Sequence, residues 1–318
     1  MKQIMILALY CLVFTTGSMM AQQEKSSYAS VSLNTGMSTL GFKVNGLDGI
    51  AGTVSSGIGL GVSAKYNYYF NTHWGIGSGI GLSVYNSSAT VKGGMNDENR
   101  YVLGSYKDDD NSGLPQNFTL RARLENLKEK QNIRLFEIPV TLNYRTRFSY
   151  GKWGAYGSFG VKFQLPIIKK FDAASNDSKL NVSGFYTDGS QNFDMGAPGT
   201  MPLPYHGFGT IDNPGKTLGW KGNKSELKAG IAGTFEVGVI SRLNMESDFM
   251  IGAYLDYGFG DRKNGSGQLL SGPSGSYHPE ANDTIGKGIV YNGLFNTNMT
   301  DQIIPLSFGL KIGLRFKL

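Results

Sequence analysis

The stretch Ile304-Pro305-Leu306-Ser307-Phe308-Gly309-Leu310-Lys311-Ile312-Gly313-Leu314-Arg315-Phe316-Lys317-Leu318 alternates without a fault. Ile304, Leu306, Phe308, Leu310, Ile312, Leu314, Phe316 and Leu318 fall on one face; Pro305, Ser307, Gly309, Lys311, Gly313, Arg315 and Lys317 fall on the other. A period of two defines a strand, because successive side chains of an extended chain point to opposite sides. A soluble sheet seldom needs so long an unbroken alternation. A strand with one face in lipid and one in a polar lumen does need it.

The same pattern runs backwards through the chain. Ser27 to Met37 places Ala29, Val31, Leu33 and Thr35 on one face. Gly57 to Phe70 sets Ile58, Leu60, Val62, Ala64, Tyr66, Tyr68 and Phe70 against Gly59, Gly61, Ser63, Lys65 and Asn67. Trp74 to Val84, Arg134 to Tyr144, Trp153 to Leu165, Leu227 to Val239 and Phe249 to Phe259 read likewise. With the last stretch they make eight strands, an even number, as closure of an antiparallel barrel favours. The expected fold is therefore all-β: a transmembrane antiparallel up-and-down β-barrel. Lys179 to Thr187 and Gly288 to Leu294 also have strand character and leave a ten-strand count open.

Connection lengths alternate too. Asn71 to His73, Arg145 to Lys152 and Ser241 to Asp248 are short, whereas 38–56, 88–132, 166–225 and 260–303 are long. Outer-membrane barrels have short periplasmic turns and long external loops, so both termini are expected in the periplasm. Tyr68, Phe70, Trp74, Tyr144, Trp153, Phe249 and Phe316 gather at the turn-proximal strand ends. Amphipathic rings prefer that boundary between membrane and water.

Composition fits. The hydrophobic fraction is 40% and the mean hydropathy −0.21, and no apolar run beyond the N-terminus has the length of a spanning helix. Barrels escape hydropathy measures because only alternate residues meet lipid. Met1-Lys2, the apolar Ile4 to Thr15 and the small residues Gly17, Ser18 and Ala21 read as a signal peptide over 1–21, leaving 22–318 as the barrel. Cys11 lies in that leader, so the mature chain is expected to lack a thiol for a disulfide, a nucleophile or a metal site. The formal charge of +6 comes with no nucleic-acid recognition motif, and no such partner is expected.

Three strands carry a family resemblance. Leu135-Phe136-Glu137-Ile138-Pro139-Val140-Thr141-Leu142-Asn143-Tyr144 resembles the fourth strand of the PorT-like and OmpA-like outer-membrane barrels of Bacteroidetes. The glycine-rich Trp153 to Phe163 is similar to their fifth strand. Tyr254-Leu255-Asp256-Tyr257-Gly258-Phe259 resembles their seventh, with Phe259 where leucine is usual. The resemblance implies a fold much more than an activity. It connects the chain only distantly to protein secretion, in which founding members take part.

Parity turns Lys65, Glu137, Arg145, Lys162, Lys228, Glu236, Asp256, Lys311 and Arg315 into the lumen. An eight-stranded barrel is just wide enough for side chains to fill it, so these charges are expected to pair into a plug. A narrow conduit for small solutes is the alternative. Catalysis is not expected: His73, His206 and His278 belong to no catalytic or ligand motif, and no cofactor or metal is called for. Asp108-Asp109-Asp110-Asn111 lacks the spacing of a calcium loop and reads as a solvated turn. Leu120, Leu124 and Leu127 have the spacing of a short amphipathic helix over the barrel. In the Gly- and Pro-rich 196–215 segment, Met201, Tyr205 and Phe208 are the expected contact patch for a protein partner. Other expected partners are outer-membrane lipid and, during assembly, the barrel-insertion machinery. The expected role is an interaction scaffold.

Overall fold

The computed structural model describes residues 25–41, 51–92, 101–108, 116–146, 152–175, 178–186, 192–193, 209–212, 218–222, 225–274, 286, 288–300 and 302–318. Eight long strands form the wall: β1 (Ser26–Gly41), β2 (Ala51–Tyr69), β3 (Trp74–Lys92), β4 (Leu127–Arg145), β5 (Trp153–Ser175), β6 (Gly230–Arg242), β7 (Ser247–Phe259) and β8 (Ile304–Lys317). Each pairs antiparallel with its chain neighbour, and β8 closes the sheet on β1. The result is a closed eight-stranded barrel, which leaves no edge to template aggregation.

Every wall strand adds apolar side chains to an outward belt, among them Leu33, Leu60, Ile80, Val140, Phe163, Val237, Leu255 and Leu310. The inward positions at the same heights are mostly small or polar, with Tyr156, Ile240 and Met250 packed in a small apolar cluster near the short-turn end. Glycines appear where the wall is tightest: a Cβ on Gly36 would stand 2.1 Å from the Phe308 carbonyl oxygen, and one on Gly79 2.0 Å from that of Ala64.

Several strands are far longer than the roughly 9–11 residues that cross a membrane. Above the belt their polarity inverts. On β4, Phe136, Ile138, Val140, Leu142 and Tyr144 face outward around the inward Glu137, Thr141 and Asn143. Higher up, Leu127, Ile133 and Leu135 face inward, and Lys128, Lys130 and Arg134 outward. β5 achieves the same inversion with a bulge: Ile167 is skipped between the pairs Leu135/Pro166 and Arg134/Ile168, after which Phe171 and Ala173 point inward.

The upper walls hold an apolar cap. Gln116–Glu125 lies between Tyr101–Asp108 and Lys179–Tyr186 in an external sheet, to which Gly209–Asp212 and Asn192–Phe193 also pair. Phe118, Leu120, Ala122 and Leu124 from this sheet join Tyr85, Ile133, Leu135, Phe171, Tyr291, Leu294 and Phe295 in one buried cluster. Leu218–Gly222 extends the wall beside β5, and Leu270–Ser271 pairs with Val290–Tyr291.

Three sequence expectations change. Leu120 and Leu124 belong to a strand, not a helix, because Phe118, Leu120, Ala122 and Leu124 already alternate with Thr119, Arg121, Arg123 and Glu125. Asn126, at φ 52°, then resets the parity so that Leu127 also points inward, and three leucines acquire helical spacing by coincidence. Lys179–Tyr186 is a strand of the external sheet, and within Gly288 to Leu294 only Val290–Tyr291 is a strand, so neither enters the wall. The expected loops are also partly wall: strands continue to Gly41, Lys92 and Ser175 before the chain leaves the barrel.

Candidate functional site: the lumenal charge network and the external cap

Polar side chains fill the lumen in tiers. At the end with the short turns, Arg315 donates to Asp248 Oδ2 from Nε at 3.0 Å and from Nη2 at 2.7 Å. Its guanidinium also lies 4.5 Å from the Tyr28 ring centroid. Arg145 stands half-buried at this mouth, donating to Ser26 Oγ at 2.8 Å and to the Thr72 carbonyl at 3.0 Å, with its guanidinium over Tyr69. His73 sits in the adjoining turn, its Nδ1 2.9 Å from the Arg145 carbonyl oxygen.

Glu236 holds the middle tier. Oε1 accepts from Lys65 Nζ and Oε2 from Lys311 Nζ, both at 2.7 Å. Above it, Lys162 Nζ donates to Asp256 Oδ2 at 2.6 Å and lies 3.5 Å from Glu137 Oε2. Gln164 donates to Glu137 Oε1 at 2.7 Å and accepts from Arg262 Nη2 at 2.8 Å. In these tiers five buried cations (Lys65, Lys162, Lys311, Arg315 and Arg262) face four buried carboxylates (Glu137, Glu236, Asp248, Asp256); Arg262 is held instead by neutral acceptors, the Gln164 side chain and the Ile231 carbonyl. Charges removed from water need such partners. The cavity among Lys65, Tyr156, Glu236 and Arg315 measures about 30 Å³, and that beside Tyr85 and Asp256 about 10 Å³. A single water needs roughly 10–15 Å³.

Of the sequence-derived lumenal set, the barrel brings Lys65, Glu137, Lys162, Glu236, Asp256, Lys311 and Arg315 together, with Arg145 at the mouth. Lys228 is the exception. β6 begins only at Gly230, so lumenal parity does not extend to Lys228, which is exposed beyond the wall. Asp248, Gln164 and Arg262 escaped notice: Asp248 falls within the expected turn, Gln164 is uncharged, and Arg262 lies past the end of β7. Parity would have pointed to Gln164. Met201, Tyr205, Phe208, His206, His278, Asp109 and Asp110 lie outside the described residues.

The cap holds one ionisable group of a different kind. Glu129 on upper β4 is 1% exposed, and among the described residues no cation pairs with it. Its oxygens accept from Gln131 Nε2 at 2.7 Å, from the Leu294 backbone N–H at 2.9 Å and from the Tyr291 hydroxyl. Burial pushes its pKa above the ordinary 4.5, and the three donors pull it partly back. Glu129 thereby ties the 290–296 segment to the wall.

A closed, eight-stranded, lipid-belted barrel of this form defines an outer-membrane protein. The chain belongs to the outer membrane protein beta-barrel domain family, whose model matches residues 20–206. Solved structures similar to it include OprG of Pseudomonas aeruginosa, at 12% identity over 94% of this chain and 98% of that one, with a TM-score of 0.36. Ail, the attachment invasion locus protein of Yersinia pestis, solved with the heparin analogue sucrose octasulfate, is 11% identical over 91% of this chain and 99% of that one, with a TM-score of 0.28. None of the curated proteins matches the chain.

Proposed function

We propose that this protein is a non-conducting outer-membrane scaffold that works through its external cap and loops. The observation carrying this reading is occupancy at two levels: a lumen filled by ion-paired side chains whose cavities of about 30 Å³ and 10 Å³ hold only a few waters, and above it an apolar cluster spanning the inside of the wall. The three short connections share one end, where Trp74, Tyr144 and Trp153 form the start of an aromatic girdle. That favours periplasmic termini and a cap facing the outside. In this reading residues 1–21 are the signal peptide, β8 is read by the insertion machinery, and the strand motifs support a PorT-like affiliation. The 196–215 segment, with Met201, Tyr205 and Phe208, is the proposed contact for a protein partner. The chain has no enzymatic role in this scheme.

Planar-bilayer recording of the purified full-length protein tests the reading. Electrical silence is expected at neutral pH. Steady, ion-selective current would overturn it in favour of a conduit through the lumen.

A further inference from the structure

The outer face of β3, β4 and β5 changes character abruptly at the top of the apolar belt. Arg134, in register with Val84 and Ile168, is the first residue of a basic field. Lys170 follows one position above Ile168 on the outward-facing side of β5, opposite Asn132. Higher still, Lys130 stands between Ser88 and Asp172 in the sheet, Lys128 is two residues further along β4, and Lys221 lies opposite Asp172.

These residues line a groove rather than a flat surface. Its volume is about 580 Å³, and Lys128, Lys130, Lys170 and Lys221 are all on its lining. The floor is rigid: Asn132 Nδ2 donates to Asn86 Oδ1 at 2.7 Å, and Asn86 Nδ2 donates to the Ile58 carbonyl at 2.7 Å. Two bulges underlie it, one between Ser56 and Leu60 on β2 and one at Ile167 on β5. Bulges bend the strands that carry them.

The charge is unbalanced. Asp172 is the one carboxylate on the groove lining, 3.6 Å from Lys221 in a pair open to solvent. Among the described residues, Lys128, Lys130, Lys170 and Arg134 have no carboxylate partner. A wall that pairs Lys65, Lys162, Lys311 and Arg315 with lumenal carboxylates thus leaves a block of outward cations without one above the apolar belt. The headgroup zone extends only about 5–8 Å beyond the hydrocarbon; Arg134 and Lys170 are the first outward cations above the belt, and long lysine stems higher up can bend back toward it.

We propose that this groove binds the phosphate-bearing headgroup of an anionic lipid in the leaflet surrounding the cap end of the barrel. Continuity of the groove with the lipid-facing belt favours a lipid whose chains lie on Leu82, Ile138 and Leu165 while its phosphate meets Lys170 and Lys130. The site rests on the membrane placement of the belt but not on whether the lumen conducts.

The test uses the full-length barrel folded into vesicles of phosphatidylcholine with 30% phosphatidylglycerol, extracted mildly and assayed for retained lipid by native mass spectrometry. Wild type is expected to retain phosphatidylglycerol preferentially. K128Q/K130Q/K170Q/K221Q is expected to lose at least about tenfold of that preference, since each basic residue at such a surface contributes roughly fivefold. K25Q/K152Q/K228Q/K317Q removes the same charge elsewhere on the exposed surface and is expected to keep the preference. Equal retention by wild type and groove variant, or equal loss in both variants, would overturn the site. Displacement of the lipid by millimolar inorganic phosphate would show that the groove selects a free phosphate rather than a lipid, and would overturn it too. Heat-modifiable mobility of each variant confirms that a folded barrel is being compared, and the conductance result leaves all of these outcomes unchanged.

Discussion

Replacing Glu236 by glutamine measures how dry the lumen is. The carboxylate accepts two charge-assisted hydrogen bonds of 2.7 Å, from Lys65 and Lys311, and all three side chains are at most 8% exposed. Such bonds contribute about 1.5–3 kcal/mol each, and removing one partner of a buried ion pair costs about 3–5 kcal/mol because the remaining charge is stranded. Glutamine keeps one carbonyl acceptor but leaves two ammonium groups facing a neutral amide. The expected loss is therefore about 3 kcal/mol. It can be read by urea titration in lipid vesicles, following the fluorescence of Trp74 and Trp153 on the lipid face together with heat-modifiable mobility. Adding Lys311→Met to Glu236→Gln removes one stranded charge and is expected to recover at least about 1 kcal/mol, a coupling that a double-mutant cycle isolates. A loss below about 1 kcal/mol with additive effects would refute the reasoning. It would mean that water already solvates both lysines, as a conduit requires.

Three further outcomes follow from the same wall. Val140 and Val102 are equally exposed valines, at 48% and 52%, but one lies in the lipid belt and the other on the external sheet. Val140→Arg is expected to cost about 2–4 kcal/mol and Val102→Arg no more than about 0.5 kcal/mol, compared by urea titration; equal costs would misplace the belt. Burial raises the Glu129 pKa, so the stability this group contributes is complete below the ordinary carboxyl range and is lost as pH climbs through the raised value. Limited proteolysis of the 288–300 segment is accordingly expected to be slower in mildly acidic than in neutral buffer, with the difference abolished by Glu129→Gln; protection that grows with pH would contradict this. Shortening the 196–215 segment is expected to leave barrel yield unchanged, since loop closure depends only logarithmically on length, while removing partners crosslinked in intact cells; an unchanged set of partners would move the contact elsewhere.

The membrane half of this fold was legible because lipid imposes a period of two that nothing else in the chain obscures. Constant parity carried Lys65, Glu236 and Lys311 to one face each, but not to one another. Glu236 is 171 residues from Lys65 and 75 from Lys311, and their meeting depends on the stagger of the closed sheet, which no single strand encodes. Asp248 was hidden for a related reason: β7 starts at Ser247, so a residue that reads as part of a turn is already the second position of a strand. The cap was illegible where its strands carry apolar residues inward, as on a soluble sheet, with a single left-handed Asn126 resetting the phase between Leu124 and Leu127.

That change of phase bears on how the protein works. On β4 the inward-facing positions never change parity, yet the apolar side chains move from the inward Leu135 to the outward Phe136 in one step. One continuous strand therefore serves two solvents: below this step its outer face meets lipid, and above it the outer face meets water while the inner face packs an apolar core. A flexible loop on a barrel rim loses conformational freedom when it binds a partner. Here β3, β4 and β5 run as uninterrupted strands from the belt into the cap, and the external sheet is buried against them. The entropy of ordering the cap is then spent during folding, so the wall presents its basic groove, and any partner surface on the cap, already shaped.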